Sequence, residues 1–161
     1  GVAAEAIFHA SQNNEPIPWV GEFLSSPGAD FELAAVGYQI YNRWLADFCS
    51  ADPERLLGLI HVASWDIDWC VKEVEWAREA GLRGISFPPP QRPATLPYND
   101  PRWEPFWSVC EESGFALSTH ASGGPTEDYV MLPGGIAINV YETSGYMSRR
   151  AVWWLTYSQV F

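Results

Sequence analysis

The chain is short of positive charge: 9 Lys and Arg stand against 20 Asp and Glu, for a formal net charge of −11. Phosphate binding needs a basic face, so this composition speaks against a nucleic-acid partner and equally against an anionic membrane surface. Cysteine is scarce too. Cys49, Cys70 and Cys110 are far apart and odd in number, with no Cys-x-x-Cys and no Cys/His cluster of zinc-finger spacing. A disulfide framework and a structural zinc knot are therefore not expected. The three read as reduced, mostly buried thiols inside helices of a cytoplasmic protein. None sits at a strand end or helix N-terminus, where a catalytic thiolate would be activated. No apolar run approaches the roughly 18 residues that span a bilayer, and no signal peptide is visible. No Gly-x-Gly-x-x-Gly follows any apolar run, which weakens a nucleotide-binding α/β fold as a rival reading.

Apolar and aromatic residues are plentiful. Of 161 residues, 47% are hydrophobic, with nine Trp, seven Tyr and eight Phe, enough for one domain with a core. The chain opens without a methionine in the apolar segment Gly1 to Phe8, which reads as a strand ended by His9. A polar stretch with Pro and Gly, from Ser11 to Asp30, reads as a long loop. Phe31 to Cys49 reads as a helix capped by Asp30, with Tyr41, Trp44, Leu45 and Phe48 at i, i+3, i+4, i+7 on one apolar face. Asp52-Pro53 ends it, and Arg55 to Val62 reads as a strand. Asp66 then caps a helix whose Ile67, Cys70, Val71 and Val74 share a face, and Gly81 stops it. Leu82 to Phe87 is the next strand, halted by Pro88-Pro89-Pro90. Pro101 opens a third helix, with Trp103, Phe106, Trp107 and Cys110 on one face and Gly114 as its stop. Phe115 to His120 follows as a strand. After a Gly- and Pro-rich loop, Ser144 to Tyr157 reads as a last helix with Met147, Ala151, Trp154 and Leu155 on its apolar side.

Strands alternating with helices imply a parallel sheet. The spacing of roughly 30 residues per unit suits either a (βα)8 barrel or a doubly wound sheet. A full barrel needs about 250 residues, so the expectation is a single incomplete barrel domain over residues 1–161, cut at both ends. The strands at 56–62, 82–87 and 115–120 are expected to be parallel and adjacent, with helices on one outer face.

The most informative stretch is Phe115-Ala116-Leu117-Ser118-Thr119-His120-Ala121-Ser122-Gly123-Gly124. An apolar run ends in a metal-competent side chain, and a small-residue turn follows. In βα barrels the C-terminal ends of strands carry the chemistry, so His120 is the first candidate for a functional residue.

Four blocks, in order and at matching spacing, carry a family resemblance. They are Tyr41 to Cys49 with Asp52-Pro53-Glu54-Arg55-Leu56, Glu73 to Gly84, Tyr98 to Trp107, and the run ending in Thr119-His120. Together they resemble the amidohydrolase-related metal-dependent hydrolases, in the branch holding aminocarboxymuconate-semialdehyde decarboxylase and γ-resorcylate decarboxylase. The resemblance implies an α/β fold, here part of a (βα)8 TIM-type barrel of the metal-dependent hydrolase superfamily. It implies one divalent metal, often zinc, held by a His-x-His pair on the first strand, a fifth-strand His, and an Asp near the eighth, with a further His often placed after the sixth. Only the fifth-strand ligand maps onto this chain, at His120. The activity implied is hydrolysis or non-oxidative decarboxylation of a small carboxylic acid, possibly aromatic, by a parent that can be a homo-oligomer. The fragment alone is expected to be inactive. The rival reading is an inactive relative serving as a binding or packing module.

Other residues carry weaker readings. His9, Phe87 and Pro88 lie at strand ends and are candidates for substrate contact, against loop anchoring or closure. Ser122, with Gly123 and Gly124, can present backbone N–H groups to a substrate carboxylate or form an ordinary turn. His61, inside an apolar strand, reads as a satisfied core or rim histidine. Arg55 and Arg83 are expected to pair with helix-end carboxylates such as Glu54 or Glu79. Glu73, Glu75 and Glu79 are expected to form a solvated helix face.

Overall fold

The computed structural model describes residues 1–8, 30–87, 96–119, 137 and 148–157. Four strands lie in these segments: β1 Glu5–Ile7, β2 Leu56–His61, β3 Gly84–Phe87 and β4 Ala116–Thr119. Helices α1 Phe31–Cys49, α2 Ile67–Glu79 and α3 Glu104–Ser113 alternate with them, and α4 Ser148–Tyr157 follows. A 3-10 turn at Pro101–Trp103 leads into α3.

Helix boundaries follow local chemistry. The Asp30 side chain accepts from the Leu33 backbone N–H at 2.9 Å, and Asp66 does the same for Trp69 at 2.9 Å. Each satisfies an N–H that the first turn leaves without a helical partner. Gly81, just beyond α2, and Gly114, closing α3, sit at φ +83° and +66°, a left-handed conformation that strains any residue with a Cβ. At Asp100, side-chain bonds from Arg102 and then the Arg102 backbone N–H hold the carboxyl down to about 2, fixing the entry to the 3-10 turn.

All three strand pairings are parallel, in the order β1-β2-β3-β4. Each strand therefore neighbours its successor in sequence, with no reversal of strand order among the described residues. That progression fits part of a barrel, whereas a doubly wound sheet reverses direction at its switch point. The two faces of the sheet differ. A Cβ on Gly58 would meet Leu45, Cys49 and Leu82, so Gly58 and Ile60 look toward the helices. There Ile60, Ile85 and Phe87 join Leu45, Cys70, Val74, Phe106 and Leu155 in one core cluster. A Cβ on Gly84 would instead meet Leu59 on the opposite face. By the two-residue alternation of strands, that face carries Leu57, Leu59, Ser86, Ala116 and Ser118. Leu57 is 41% exposed, and Ala116 and Ser118 are exposed. The described helices thus cover one face only.

Three expectations change. The apolar face expected of α1 is only half buried: Leu45 lies in the core and Tyr41 packs against it, with Ala34, Gly37, Tyr38, Asn42 and Cys49 completing the buried side, whereas Trp44 and Phe48 stack on each other at 5.3 Å and are about half exposed. The buried side of α1 is shifted around the helix from Trp44 and Phe48, with Leu45 common to the expected and the observed face. Arg55 pairs with Asp52 at 3.5 Å, not Glu54, and donates to the carbonyls of Val2 and Ala3, tying the segment before β1 to the start of β2. Glu73 is buried and not part of a solvated face, whereas Glu75 and Glu79 are exposed. The last helix is described from Ser148, and the Ser144 to Met147 part of that expectation lies outside the described residues.

Candidate functional site

His9, Pro88, His120 and Ser122 lie outside the described residues. Thr119, the residue before His120, is the last of β4 and stands in register with Phe87, the last of β3. The strand leading to His120 is therefore parallel to β3, with its C-terminal end at the same edge of the sheet as that of β3. Phe87 was expected on a pocket wall. The structure places its ring in the core on the helix side, 5.0–5.5 Å from Tyr98, Trp103, Phe106 and Trp107. Alternation puts Ser86, not Phe87, on the uncovered face. Phe87 and the four rings that touch it fix the end of β3 against α3, each contacting pair adding about 0.5–1.5 kcal/mol beyond its area burial.

The end of β2 is held by a polar construction that sequence reasoning missed. Asn42 of α1 is fully buried. Its amide donates to the His61 carbonyl at 2.9 Å and accepts from the His61 N–H at 2.9 Å, so one side chain mimics a neighbouring strand beside His61. Its second N–H donates to Glu73 Oε1 at 2.9 Å. Glu73 of α2, 3% exposed, also takes a two-pronged ion pair from Arg43, through Oε1 and, at 3.1 Å, Oε2. The Arg43 guanidinium lies over the Trp76 ring, 3.2 Å from its centroid. Burying a carboxylate is costly unless it is paired and hydrogen-bonded, and here both oxygens are engaged. The signal was in the spacing: Glu73 shares an arc with Cys70, Val74 and Ala77, and Asn42 shares one with Tyr38, Leu45 and Cys49. The ring of His61 packs against Tyr38, stacked at 5.3 Å, and Tyr41, edge-on at 5.3 Å, which fits the rim position expected for it.

Burial dominates the titrations of the described tyrosine and cysteines. It pushes the Tyr41 hydroxyl above its usual range, with Cys49 adding to the rise. It pushes the Cys110 thiol up to about 12 and raises Cys70 further, while for Cys49 a backbone bond at Gly58 offsets part of the rise. All three cysteines are buried and free, and the Cys70 thiol donates to the Ala63 carbonyl at 3.2 Å. They are protonated at neutral pH, the reverse of a nucleophilic cysteine.

Among the described residues no group of three His, Cys, Asp or Glu side chains comes together to hold a metal ion. These residues alone do not fit a metal centre. Among the described residues no helix is long and apolar enough to cross a membrane.

The sequence profile of one family, described as amidohydrolase, matches residues 29–153. The match takes in α1, β2, α2, β3, α3, β4 and position 120. No curated protein matches the chain.

Proposed function

Because the chain belongs to the amidohydrolase family, whose members usually bind a divalent metal, we propose that it is the β1-to-α4 part of a metal-dependent hydrolase or non-oxidative decarboxylase. In this reading His120 is a ligand of one divalent ion, zinc by preference, and the substrate is a small carboxylic acid. The observation that carries it is the coincidence of the family match with a parallel strand that ends at Thr119, one residue before His120. A strand's C-terminal end is where barrel enzymes place their ligands, and neutral imidazole suits zinc. When bound, the ion supplies Lewis-acid polarisation of an oxygen. His9, Pro88 and Ser122 are the candidates for substrate contact, and Phe87 acts from behind by fixing the end of β3. The buried free thiols accord with a cytoplasmic protein, and the acidic composition with the absence of a nucleic-acid partner. A second copy of the parent is the macromolecular partner in this reading.

The test is elemental analysis beside activity in the full-length protein. Wild type is expected to purify with near one divalent ion per chain and to turn over a member of a panel of aromatic and unsaturated carboxylic acids. His120→Ala is expected to lose metal and activity together, because several ligands acting at once make the affinity. Full metal and near-normal rates in the variant would make His120 a structural strand-end residue and leave a packing or binding module as the better reading.

A further inference from the structure

We propose that the outer side of α1 is the surface on which a second copy of this chain docks, the two α1 helices crossing antiparallel about a twofold axis at Ile40. Leu33, Val36, Ile40, Trp44 and Phe48 are 43–63% exposed. They follow one another at steps of three or four residues, so they share one stripe of the helix. Ala34, Tyr38, Leu45 and Cys49 are buried on the opposite side, toward β2. The stripe therefore looks out of the molecule and not into the sheet. Helix α2 lies on another flank, where Asn42 and Arg43 reach Glu73. Asp47 is the one charged side chain within the stripe, in a chain with 20 acidic residues.

The order of the side chains selects the occupant. Val36, Ile40, Trp44 and Phe48 form a ridge at four-residue intervals, and ridges of this kind pack into each other's grooves in the commonest helix crossing. A twofold contact needs a surface complementary to itself, because every pairing across the axis occurs twice. The stripe meets that need. Ile40 stands at its middle and faces its own copy. Four residues to either side, Val36 comes opposite Trp44 of the partner subunit, small against large. At the ends Leu33 comes opposite Phe48 of the partner subunit. Five half-exposed apolar side chains, two of them aromatic, leave on the order of 400 Å² uncovered, the size of patch that on a monomer is often functional. With their rims, two copies bury about 1,000 Å², the lower bound of a specific interface, so the dimer is reversible with a Kd on the order of micromolar. Charge sets the salt response. Two copies with a net charge of −11 each repel, and screening weakens that repulsion while the apolar contact stays, so salt tightens the dimer.

The choice of a second copy also rests on the partner named in the proposed function, and the test reads association alone, so that the two can fail separately. The full-length protein is followed by sedimentation velocity across the micromolar range. Wild type is expected to pass from monomer to dimer as concentration rises, and to do so at lower concentration when sodium chloride is raised. Ile40→Glu, which sets two carboxylates against each other on the axis, and Trp44→Ala are each expected to weaken the dimer at least about tenfold. Val152→Glu, on the exposed surface of α4, is expected to leave it unchanged. Ile40→Cys is expected to form a disulfide between two copies on mild oxidation, since a residue at the axis faces itself, whereas the native cysteines are buried. Association lost in Ile40→Glu with Tm and metal content kept supports the twofold. A wild type that stays monomeric, a dimer unchanged by Ile40→Glu, or an Ile40→Cys variant that does not cross-link overturns it. So does a lowered Tm for Ile40→Glu at a concentration where wild type is monomeric, because another segment of the same chain then covers the stripe. A His120→Ala variant that keeps its metal overturns the proposed function and leaves these readings standing.

Discussion

Replacing Asn42 by alanine removes one small side chain and strands three groups at once. The His61 carbonyl and N–H lose their partner, and Glu73 Oε1 loses a donor while remaining buried. Each buried polar group left unsatisfied costs about 1–3 kcal/mol. His61 is half-buried, and water can reach part of the gap, so the lower part of that range applies to its two backbone groups. Glu73 keeps Arg43 and loses the least. The sum is roughly 2–4 kcal/mol, a large share of the 5–15 kcal/mol that holds a typical domain. In a domain of this size that lowers Tm by roughly 10 °C. The assay is urea and thermal denaturation followed by circular dichroism, with hydrogen exchange at the His61 amide as the local readout. Asn42→Asp is the control: it keeps an acceptor for the His61 N–H, but sets a second carboxylate against Glu73 and destabilises at least as much as alanine. A loss below about 1 kcal/mol for Asn42→Ala, with His61 exchange unchanged, would refute the view that this side chain completes the β2 ladder.

Glu73→Ala is expected to destabilise by about 3 kcal/mol, because a buried pair loses one partner, and Glu73→Gln by less, since the amide still meets Asn42. A double-mutant cycle between Arg43 and Glu73 is expected to show coupling above about 1 kcal/mol; Arg43→Lys fails to restore it, lacking the fork and the stacking plane over Trp76. Additive effects would mean that the ion pair is incidental. Alkaline pH is expected to weaken the fold. Cys110 is neutral in the folded state up to about 12, whereas its unfolded thiol ionises near 9.0. Its raised value leaves stability intact below the unfolded pKa and removes it progressively as pH climbs between the two. The urea midpoint tracks this fall, and Cys110→Ala flattens it; an equal slope in the variant would shift the cause elsewhere.

Helix boundaries were the most legible feature of the sequence. Phe31–Cys49 and Ile67–Glu79 are bounded by side chains that act on their own neighbours, Asp30, Asp66 and Gly81, so single-chain reading suffices. The parallel order of β2, β3 and β4 was legible for the same reason, since alternating units leave few topologies. What escaped depends on contacts distant in sequence. Glu73 lies in a run of charged residues that reads as solvated until Asn42 and Arg43, about thirty residues earlier, arrive beside it. The direction of Phe87 depends on which face of a four-residue strand the helices cover, and a strand that short gives no periodicity to settle it. Half of the apolar face expected of α1, Leu45 and Tyr41, meets the core, while Trp44 and Phe48 lie too far around the helix to reach it. Of the candidate site, the strand leading to His120 was legible, because a strand end followed by a turn is a local signal. The partner ligands implied by the family resemblance were not, because only the fifth-strand histidine of that set maps onto this chain.

The strand order has a bearing on how the molecule comes into being. Every described strand pairs with the one made just before or just after it, and the helix between them packs on the same side. Contacts of this kind keep the separation along the chain modest, which favours rapid ordering over a search among distant partners. As the polypeptide leaves the ribosome, β2 can dock on β1 as soon as α1 is out, and β3 and β4 can follow in turn. Asn42 then has a temporal role as well as a static one: it emerges before β2 and waits on α1 with the two hydrogen bonds that the end of β2 will need.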